Sequence, residues 1–311
     1  MIEYPKITLQ NGKELPVLRF HPWIFSGAIQ KLEGAATDGC WVEVSDFKGQ
    51  TLGFGHYQHG SIAVRMLSFK KDVPNENFWS EKISAALDIR KSAGLPDADT
   101  NAFRLIHGEG DGLPGLIIDH YAGVLVVQAH DAGMHNDRKT ISSALQEIFK
   151  DKATAIYYKS HGTLPGKMRD ADTDEYLFGE PAPSNIILEN GNRFCVNWQE
   201  GQKTGFFLDQ RDNRKLLGEF STGKRVLNTF CYTGGFSVYA LASNAALVHS
   251  VDSSQKAIDL TKQNIQLNGF DPEVHACFVT DTFDFLKDKQ DEYDVIVLDP
   301  PAFAKHRDAR H

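Results

Sequence analysis

The last third of the chain most constrains the fold, because apolar runs and helical segments alternate there. The runs typical of buried strands are residues 225–230, 247–252, 274–281 and 293–299. Helical segments are predicted between them, at 235–242, 253–268 and 282–287. Strands that alternate with helices in this way build an α/β fold with a parallel, doubly wound sheet.

Two further regions precede this sheet. Residues 1–72 are predicted to form a small β-barrel from five short strands, at 6–10, 14–18, 40–44, 50–57 and 61–68. Asn11-Gly12 predicts a hairpin between the first two of them. Residues 73–185 mix helices and strands with an acidic loop at 170–180, which indicates a central α+β domain. Residues 186–311 then open on a hairpin around Asn190-Gly191.

Composition excludes several classes of protein. No run of 18 apolar residues is present and no apolar segment follows the N-terminus, which argues against a membrane span and a secretory signal. The four cysteines, at 40, 195, 231 and 277, lie far apart, so we expect no disulfide framework, no metal site and a reduced, cytoplasmic setting. The net charge is −8, and the three regions carry +1, −6 and −3. The first region therefore repels phosphate least.

Three strand ends carry the candidate ligand site. The segment Asn228–Phe236 lies where the first strand turns into a helix, and its glycines, 234 and 235, allow a ligand to approach the backbone. Asp252 closes the second strand and is placed to accept hydrogen bonds from ribose hydroxyls. Asp281 closes the third strand, where an adenine amine can bind beneath Phe283. Taken singly, a Gly-Gly pair is often only a turn, and such an aspartate is often only a helix N-cap.

The fourth strand ends in Asp299-Pro300-Pro301-Ala302-Phe303. Two prolines fix a rigid, non-helical turn and remove two N–H donors. The Asp299 carboxylate and the Pro300 carbonyl are then placed to face a flat substrate, with Phe303 free to stack. The alternative is a rigid loop without a ligand. The G-x-G-x-x-G pattern is absent from the first turn, which argues against a nicotinamide or flavin enzyme.

These features together resemble a class I S-adenosylmethionine-dependent methyltransferase. More narrowly, the chain resembles the bacterial 5-methylcytosine methyltransferases of large-subunit ribosomal RNA, which join a PUA domain, a central α/β domain and a Rossmann-like domain. Three stretches carry this resemblance, namely His21–Ile29, Phe103–Leu116 and Lys203–Arg211. The resemblance implies an RNA substrate and leaves a homodimer possible.

The resemblance also assigns roles to residues. Asp299 and Pro300 fall in the catalytic loop. Around S-adenosylmethionine it places Phe207, Asp209, Gln210, Phe230, Tyr232, Thr233, Gly234, Gly235, Asp252, Asp281 and Thr282. Without it, residues 205–211 are simply a helix start. We expect His21-Pro22-Trp23 to be a buried aromatic staple of the barrel. We expect residues 108–115 to be a demanding turn, because Glu109 and Asp111 would repel phosphate.

Methylation of cytosine C5 needs a cysteine thiolate to attack C6. None of the four cysteines is assigned this role, and the resemblance places the nucleophile beyond residue 311. The chain ends 12 residues after Asp299, so we expect a methyltransferase sheet truncated after its fourth strand, without cytosine methylation. Two alternatives stay open. One is methylation of a base amine through the Asp-Pro-Pro loop, and the other is a non-catalytic RNA-binding protein of the PUA type.

Overall fold

The computed structural model describes residues 4–165, 174–181, 185–287, 289 and 292–300. The chain divides into two compact units. The first contains residues 1–96 and 103–183, and the second contains residues 97–102 and 184–311. The domain limits predicted at residues 72 and 185 stay predictions.

The first unit opens with a six-stranded sheet. Its elements are β1 (Lys6–Leu9), helix α1 (Leu15–Leu18), β2 (Trp23–Phe25), β3 (Ile29–Glu33), β4 (Trp41–Ser45), β5 (Thr51–Tyr57) and β6 (Ile62–Ser68). The strand order is β2-β6-β5-β4-β1-β3. Its apolar core includes Ile7, Val44, Val64 and Met66.

The predicted hairpin between residues 6–10 and 14–18 is wrong, because the second segment is the helix α1. Pro16 stands in the first turn of that helix, where its missing N–H and fixed φ cost nothing, whereas it would interrupt a strand ladder. Strand β1 pairs instead with β3, antiparallel, and with β4, parallel. The barrel region therefore has six strands rather than five.

A five-stranded sheet with order β11-β10-β9-β8-β7 follows in the same unit. Its elements are α2 (Phe78–Ser92), β7 (Ala102–His107), β8 (Leu116–Tyr121), β9 (Val124–Ala129), α3 (Ala132–Asn136), α4 (Arg138–Phe149), β10 (Ala155–Tyr158) and β11 (Glu175–Gly179). The prediction of an acidic loop at 170–180 is wrong for residues 175–179, which form β11. This strand pairs antiparallel with β10, because Leu177 packs on the core. Residues 170–173 of that segment lie outside the described residues.

Polar contacts join the six-stranded sheet to residues beside the five-stranded sheet within the unit. Asp137 Oδ2 accepts a hydrogen bond from Trp41 Nε1 and lies 3.0 Å from His56 Nε2. Trp23, which we expected to be buried, is only half-buried, and its Nε1 donates to Glu109 Oε1 at 2.9 Å. The staple interpretation of Trp23 is therefore wrong, since its polar edge is used outside the barrel core.

The second unit contains the predicted alternation. Its elements are β12 (Ile186–Glu189), β13 (Asn192–Cys195), α5 (Arg211–Ser221), β14 (Arg225–Thr229), α6 (Gly235–Ala242), β15 (Leu247–Asp252), α7 (Gln255–Leu267), β16 (His275–Val279), α8 (Thr282–Leu286) and β17 (Val295–Leu298). The hairpin β12–β13 is confirmed, with φ of +48° at Asn190 and +79° at Gly191. The parallel sheet is also confirmed, in the order β16-β15-β14-β17.

This strand order brings the carboxyl ends of four parallel strands to one edge. The central pair β14 and β15 is buried, and α6 and α7 pack on it. No helix within the described part of the chain has both the length and the apolar character needed to cross a bilayer.

Candidate active site at the carboxyl edge of the parallel sheet

The turn from β14 into α6, residues 228–235, holds an unusual backbone. Phe230, Tyr232 and Gly234 have φ of +51°, +46° and +70°. Two residues with side chains thus occupy the left-handed region, which is strained for them and is enriched at functional sites. The chain must therefore fix this turn by other contacts.

Three polar side chains supply those contacts. Asp252 Oδ2 accepts a hydrogen bond from Tyr232 N at 3.0 Å, and its Oδ1 accepts one from Ser254 N at 2.9 Å. From α7, Thr261 Oγ1 donates to Tyr232 O at 3.0 Å and Asn264 Nδ2 donates to Thr233 O at 2.8 Å. Sequence reasoning missed Thr261 and Asn264. A signal for them was available, because both are polar residues on the same face of the amphipathic helix α7 as the buried Ile258 and Ile265.

The two glycines of the turn face protein atoms. A Cβ on Gly234 would lie 2.6 Å from Thr261 Cγ2, and one on Gly235 would lie 2.9 Å from Arg214 Cδ. Close packing against α7 and α5 therefore already requires glycine at both positions. This is a different reason from the ligand approach that the sequence suggested.

A buried ion pair supports the turn from behind. Arg214 donates from Nε and Nη2 to the two carboxylate oxygens of Glu189 at 2.8 and 2.7 Å, and both side chains are almost fully buried. Tyr239 Oη donates to Glu189 Oε1 at 3.0 Å, and burial, with the nearby Glu189 charge, raises the pKa of Tyr239. Arg214 Nη1 also donates to Phe207 O at 3.0 Å. The pair thereby ties the segment before α5 to the sheet.

Two of the predicted residues before α5 reach the carboxyl edge. The Phe207 ring meets the Tyr232 ring edge-on, with centroids 5.4 Å apart. Gln210 Nε2 donates to Asp299 Oδ2 at 3.4 Å. Asp299 and Pro300 are exposed there, whereas Pro301 to Phe303 lie outside the described residues. Asp209 is exposed and forms no side-chain hydrogen bond with the residues that the structure describes.

Asp281 begins the short helix α8. Its Oδ1 accepts hydrogen bonds from Phe283 N at 2.8 Å and Asp284 N at 3.1 Å, so the carboxylate is an N-cap. Its Oδ2 has no hydrogen-bond partner among the described residues and stays available to a ligand. Phe283 is 59% exposed beside Phe230, with ring centroids 6.4 Å apart. Thr282 is buried, as is Thr233 in the first turn.

The cysteines near this edge are not activated. Cys231 is buried under the turn, with Sγ 3.5 Å from Thr261 Oγ1, and burial raises the pKa of its thiol to about 12. Burial raises the pKa of Cys277 to about 11 and also raises that of Cys195. A thiol with such a pKa is protonated at neutral pH and is a weak nucleophile.

Comparison with known proteins decides the family. Residues 103–308 match the family described as S-adenosylmethionine-dependent methyltransferase. The chain belongs to that family. Residues 7–69 of this methyltransferase also match the family of PUA-like domains.

Named relatives cover most of the chain. Ribosomal RNA large subunit methyltransferase I of Erwinia tasmaniensis is 38% identical over 308 residues, which are 97% of this methyltransferase and 77% of that protein. The protein of the same name from Yersinia pseudotuberculosis is 39% identical with the same coverage.

Two solved structures have the same fold. A SAM-dependent methyltransferase from Streptococcus mutans has a TM-score of 0.79 at 27% identity, over 95% of this chain and 77% of that one. A methyltransferase structure complexed with SAH has a TM-score of 0.81 at 27% identity, over 97% of this chain and 78% of that one.

The residues at the carboxyl edge fit the cofactor of this family. S-adenosylmethionine offers ribose hydroxyls, an adenine amine and an ammonium group, which all donate hydrogen bonds. Asp252, Asp281 and Asp299 supply carboxylate acceptors, and Oδ2 of Asp281 lacks a partner among the described residues. The exposed ring of Phe283 is suited to cover an adenine.

Proposed function

We propose that this methyltransferase acts on large-subunit ribosomal RNA in the cytoplasm and that its product is 5-methylcytosine. The relatives bear the name of ribosomal RNA methyltransferases, and the three motifs that resemble the 5-methylcytosine family lie in the order of that family. Residues 1–72 would then bind RNA, residues 73–185 would form the central domain, and residues 186–311 would hold the cofactor.

One observation carries the cofactor assignment, namely carboxylates that follow three parallel strands around a strained turn. Asp252 is proposed to accept from the ribose hydroxyls, for which its oxygens retain lone pairs beside their backbone donors. Asp281 Oδ2 is proposed to accept from the adenine amine under Phe283. The methionine part is proposed to lie along Phe207, Gln210, Tyr232 and the backbone of residues 233–235.

When bound, S-adenosylmethionine supplies an electrophilic methyl group on a sulfonium. Among the residues of this chain, the exposed Asp299 carboxylate is placed to orient the target base, and Gln210 positions Asp299 through their hydrogen bond. For 5-methylcytosine a thiolate must also attack C6. Burial raises the pKa values of the thiols of Cys195, Cys231 and Cys277, which argues against them as that nucleophile, and the resemblance implies a nucleophile beyond residue 311.

The same geometry favours a second candidate, methylation of a base amine. That reaction needs a hydrogen-bond acceptor for the amino group and no thiolate. Asp299, which is exposed and has a side-chain hydrogen bond only with Gln210 among the described residues, provides such an acceptor.

The first experiment is calorimetric titration of S-adenosylmethionine and S-adenosylhomocysteine into the chain and into Asp252→Asn. We expect the substitution to weaken both ligands about tenfold or more, since charged hydrogen bonds contribute about 1.5–3 kcal/mol. Asp259→Asn is the matched control, because Asp259 is exposed on the neighbouring helix α7 and, within the described part of the chain, its side chain bonds only Gln255 Nε2. Equal affinities for both variants would contradict the role of Asp252.

The second experiment identifies the product. Unmodified large-subunit ribosomal RNA is incubated with S-adenosylmethionine and either this chain or a chain extended to the length of its relatives, and the nucleosides are analysed by mass spectrometry. We expect 5-methylcytosine from the extended chain only. A base N-methylated by the 311-residue chain, and lost in Asp299→Ala, would establish the second candidate instead. Mass photometry in the same buffer tests whether the chain forms a homodimer, which the resemblance leaves open.

A further inference from the structure

Two sequence motifs that the cofactor site does not use meet in the first unit. One is His21–Ile29, which contains Trp23 on β2, and the other is the turn at residues 108–115 after β7. The Trp23 indole donates from Nε1 to Glu109 Oε1 at 2.9 Å, and both residues line a cavity of about 270 Å³. The hydrogen bond fixes the edge of a half-exposed indole at the cavity wall.

The cavity contains a cation with free donors. Arg65 lies directly opposite Trp23 in the β2–β6 pairing and also lines the cavity. Its Nε is 3.5 Å from Oδ2 of Asp131, a residue that is 1% exposed. Within the described part of the chain, neither Nη atom of Arg65 has a hydrogen-bond partner, and Asp131 Oδ2 has none either. The guanidinium is therefore oriented by a buried carboxylate while its outer N–H groups remain unused.

Part of the cavity wall is glycine backbone. Gly108 and Gly115 line the cavity, and a Cβ on Gly115 would lie 1.8 Å from Asp131 Oδ2. His130 lines the cavity beside them, and its N donates to Gly115 O at 2.9 Å. Desolvation by the surrounding protein lowers the pKa of His130, so its imidazole is uncharged at neutral pH and can both donate and accept.

We propose that this cavity binds one unpaired nucleotide of the RNA substrate, with its base against Trp23 and a carbonyl oxygen of the base on Arg65. The inference rests on the proposed function, because it requires an RNA substrate. A flat aromatic face beside a cation is the combination with which proteins hold single-stranded nucleic acid. The volume lies just below the range of about 300–1,000 Å³ typical of small-molecule sites, which suits one nucleotide and not a duplex.

The charges of the cavity favour a nucleotide over a simple anion. Glu109 uses Oε1 for Trp23, and its Oε2 has no hydrogen-bond partner among the described residues. A free phosphate would be repelled by this carboxylate, whereas the amino or imino group of a base donates to it. The donors of Arg65 and the acceptor of Glu109 thus match the mixed edge of a base.

The test is fluorescence anisotropy of fluorescein-labelled C12 and U12 oligoribonucleotides with the full chain. We expect Trp23→Leu and Arg65→Met each to weaken binding about tenfold, as the loss of base stacking or of a charged contact implies. The matched controls are Phe25→Leu, an aromatic on the same strand that is 51% exposed, and Lys48→Met, an exposed cation in the turn between β4 and β5. Neither control residue lines the cavity, and we expect both variants to bind within about twofold of wild type.

Two further measurements make each outcome decisive. S-adenosylmethionine affinity is measured on every variant and should not change, and Trp23→Phe, which keeps a flat ring, should restore most of the RNA affinity. If the wild type binds RNA and Trp23→Leu and Phe25→Leu weaken that binding equally, the cavity proposal is overturned and the proposed function stays intact. Unchanged RNA affinity in Trp23→Leu and Arg65→Met would do the same. Absence of RNA binding by the wild type, with cofactor binding retained, would overturn both the cavity proposal and the RNA substrate.

Discussion

Two glycine-rich turns, at residues 228–235 and 108–115, follow the carboxyl ends of strands in different units. Both contain several residues with positive φ, and both lie beside aspartates. In the 228–235 turn the glycines are packed against Thr261 and Arg214. The carboxylates at this edge of the sheet still have oxygens available to a ligand. In the 108–115 turn Asp111 is paired with Arg90, Gly115 is packed against Asp131, and Gly108 and Gly115 line part of a cavity.

The comparison shows that a glycine pattern does not reveal what the glycines face. The pattern at 228–235 suggested close approach of a ligand, yet atoms of the protein itself require glycine at 234 and 235. The pattern at 108–115 suggested only a turn, yet its backbone lines a cavity with Trp23 and Arg65. The atoms that face each glycine come from residues distant in sequence. Only the folded structure therefore shows what a glycine of either turn faces.

The largest effect is expected at the ion pair behind the 228–235 turn. Arg214→Met leaves the fully buried Glu189 without its cation, so unfolding of this unit should become easier by about 3–5 kcal/mol. Hydrogen exchange of the β14 amides measures the change. Arg211→Met is the control, because the partner of Arg211 is 89% exposed and such surface pairs contribute about 0–1 kcal/mol. Similar losses of unfolding free energy in Arg214→Met and Arg211→Met would contradict the difference expected between a buried and a surface ion pair.

Gly234→Ala tests the packing of the same turn. The left-handed φ costs about 1–2 kcal/mol for alanine, and the overlap with Thr261 adds about 1–3 kcal/mol. Gly223→Ala is a matched control, because Gly223 has φ of +69° and nothing within 4 Å of an added Cβ. The difference in hydrogen exchange between the two variants isolates the overlap. Adding Thr261→Ser, which removes Cγ2, should recover part of it, and no recovery would contradict the packing argument.

The pH dependence of the parallel sheet is expected to follow His275. Burial lowers the pKa of His275 to about 4, below the usual value of 6.5, and its Nε2 lies 2.9 Å from Ser250 Oγ. The unfolded chain binds this proton first, so its contribution is complete above pH 6.5 and is lost as the pH falls towards 4. We expect a loss of about 3 kcal/mol, measured by hydrogen exchange of β16 after correction for intrinsic rates. In His275→Gln that share of the decline should be absent; an identical decline would contradict the assignment.

The smallest effect is expected at the 108–115 turn. Glu109→Ala removes the acceptor of the Trp23 indole, but both groups are solvent-accessible, so the free energy of unfolding should fall by about 1 kcal/mol or less. Thermal unfolding measures this change. Glu81→Ala, an exposed glutamate on α2, serves as the control. A loss as large as that of Arg214→Met would show that the two turns are supported alike.

Much of the second unit could be predicted from the sequence. The helix Gly235–Ala242 and the strand Leu247–Asp252 have the predicted limits, and the hairpin at Asn190-Gly191 forms. Each depends on a local signal, namely hydrophobic periodicity or turn residues that tolerate positive φ. The same local reasoning failed at residues 14–18, where Pro16 favours a helix, and at 175–179, where a strand forms by pairing with β10.

The candidate site was predictable only in part. The sequence placed Asp252, Asp281 and Asp299 after parallel strands, because the carboxyl ends of such strands meet at one edge. It left open whether Asp281 caps α8, and it did not show that Cys231 is buried or that Thr261 and Asn264 hold the turn.

The sequence by itself determined the alternation of strands and helices, the parallel sheet and the edge that carries the carboxylates, since these follow from periodicity and chain order. The tertiary structure alone decided the partners of each polar group. Glu189 meets Arg214, and Trp23 meets Glu109, across 25 and 86 residues of sequence. Burial, pKa and cavity shape depend on such distant neighbours, because desolvation and hydrogen bonding are set by the atoms nearby in space.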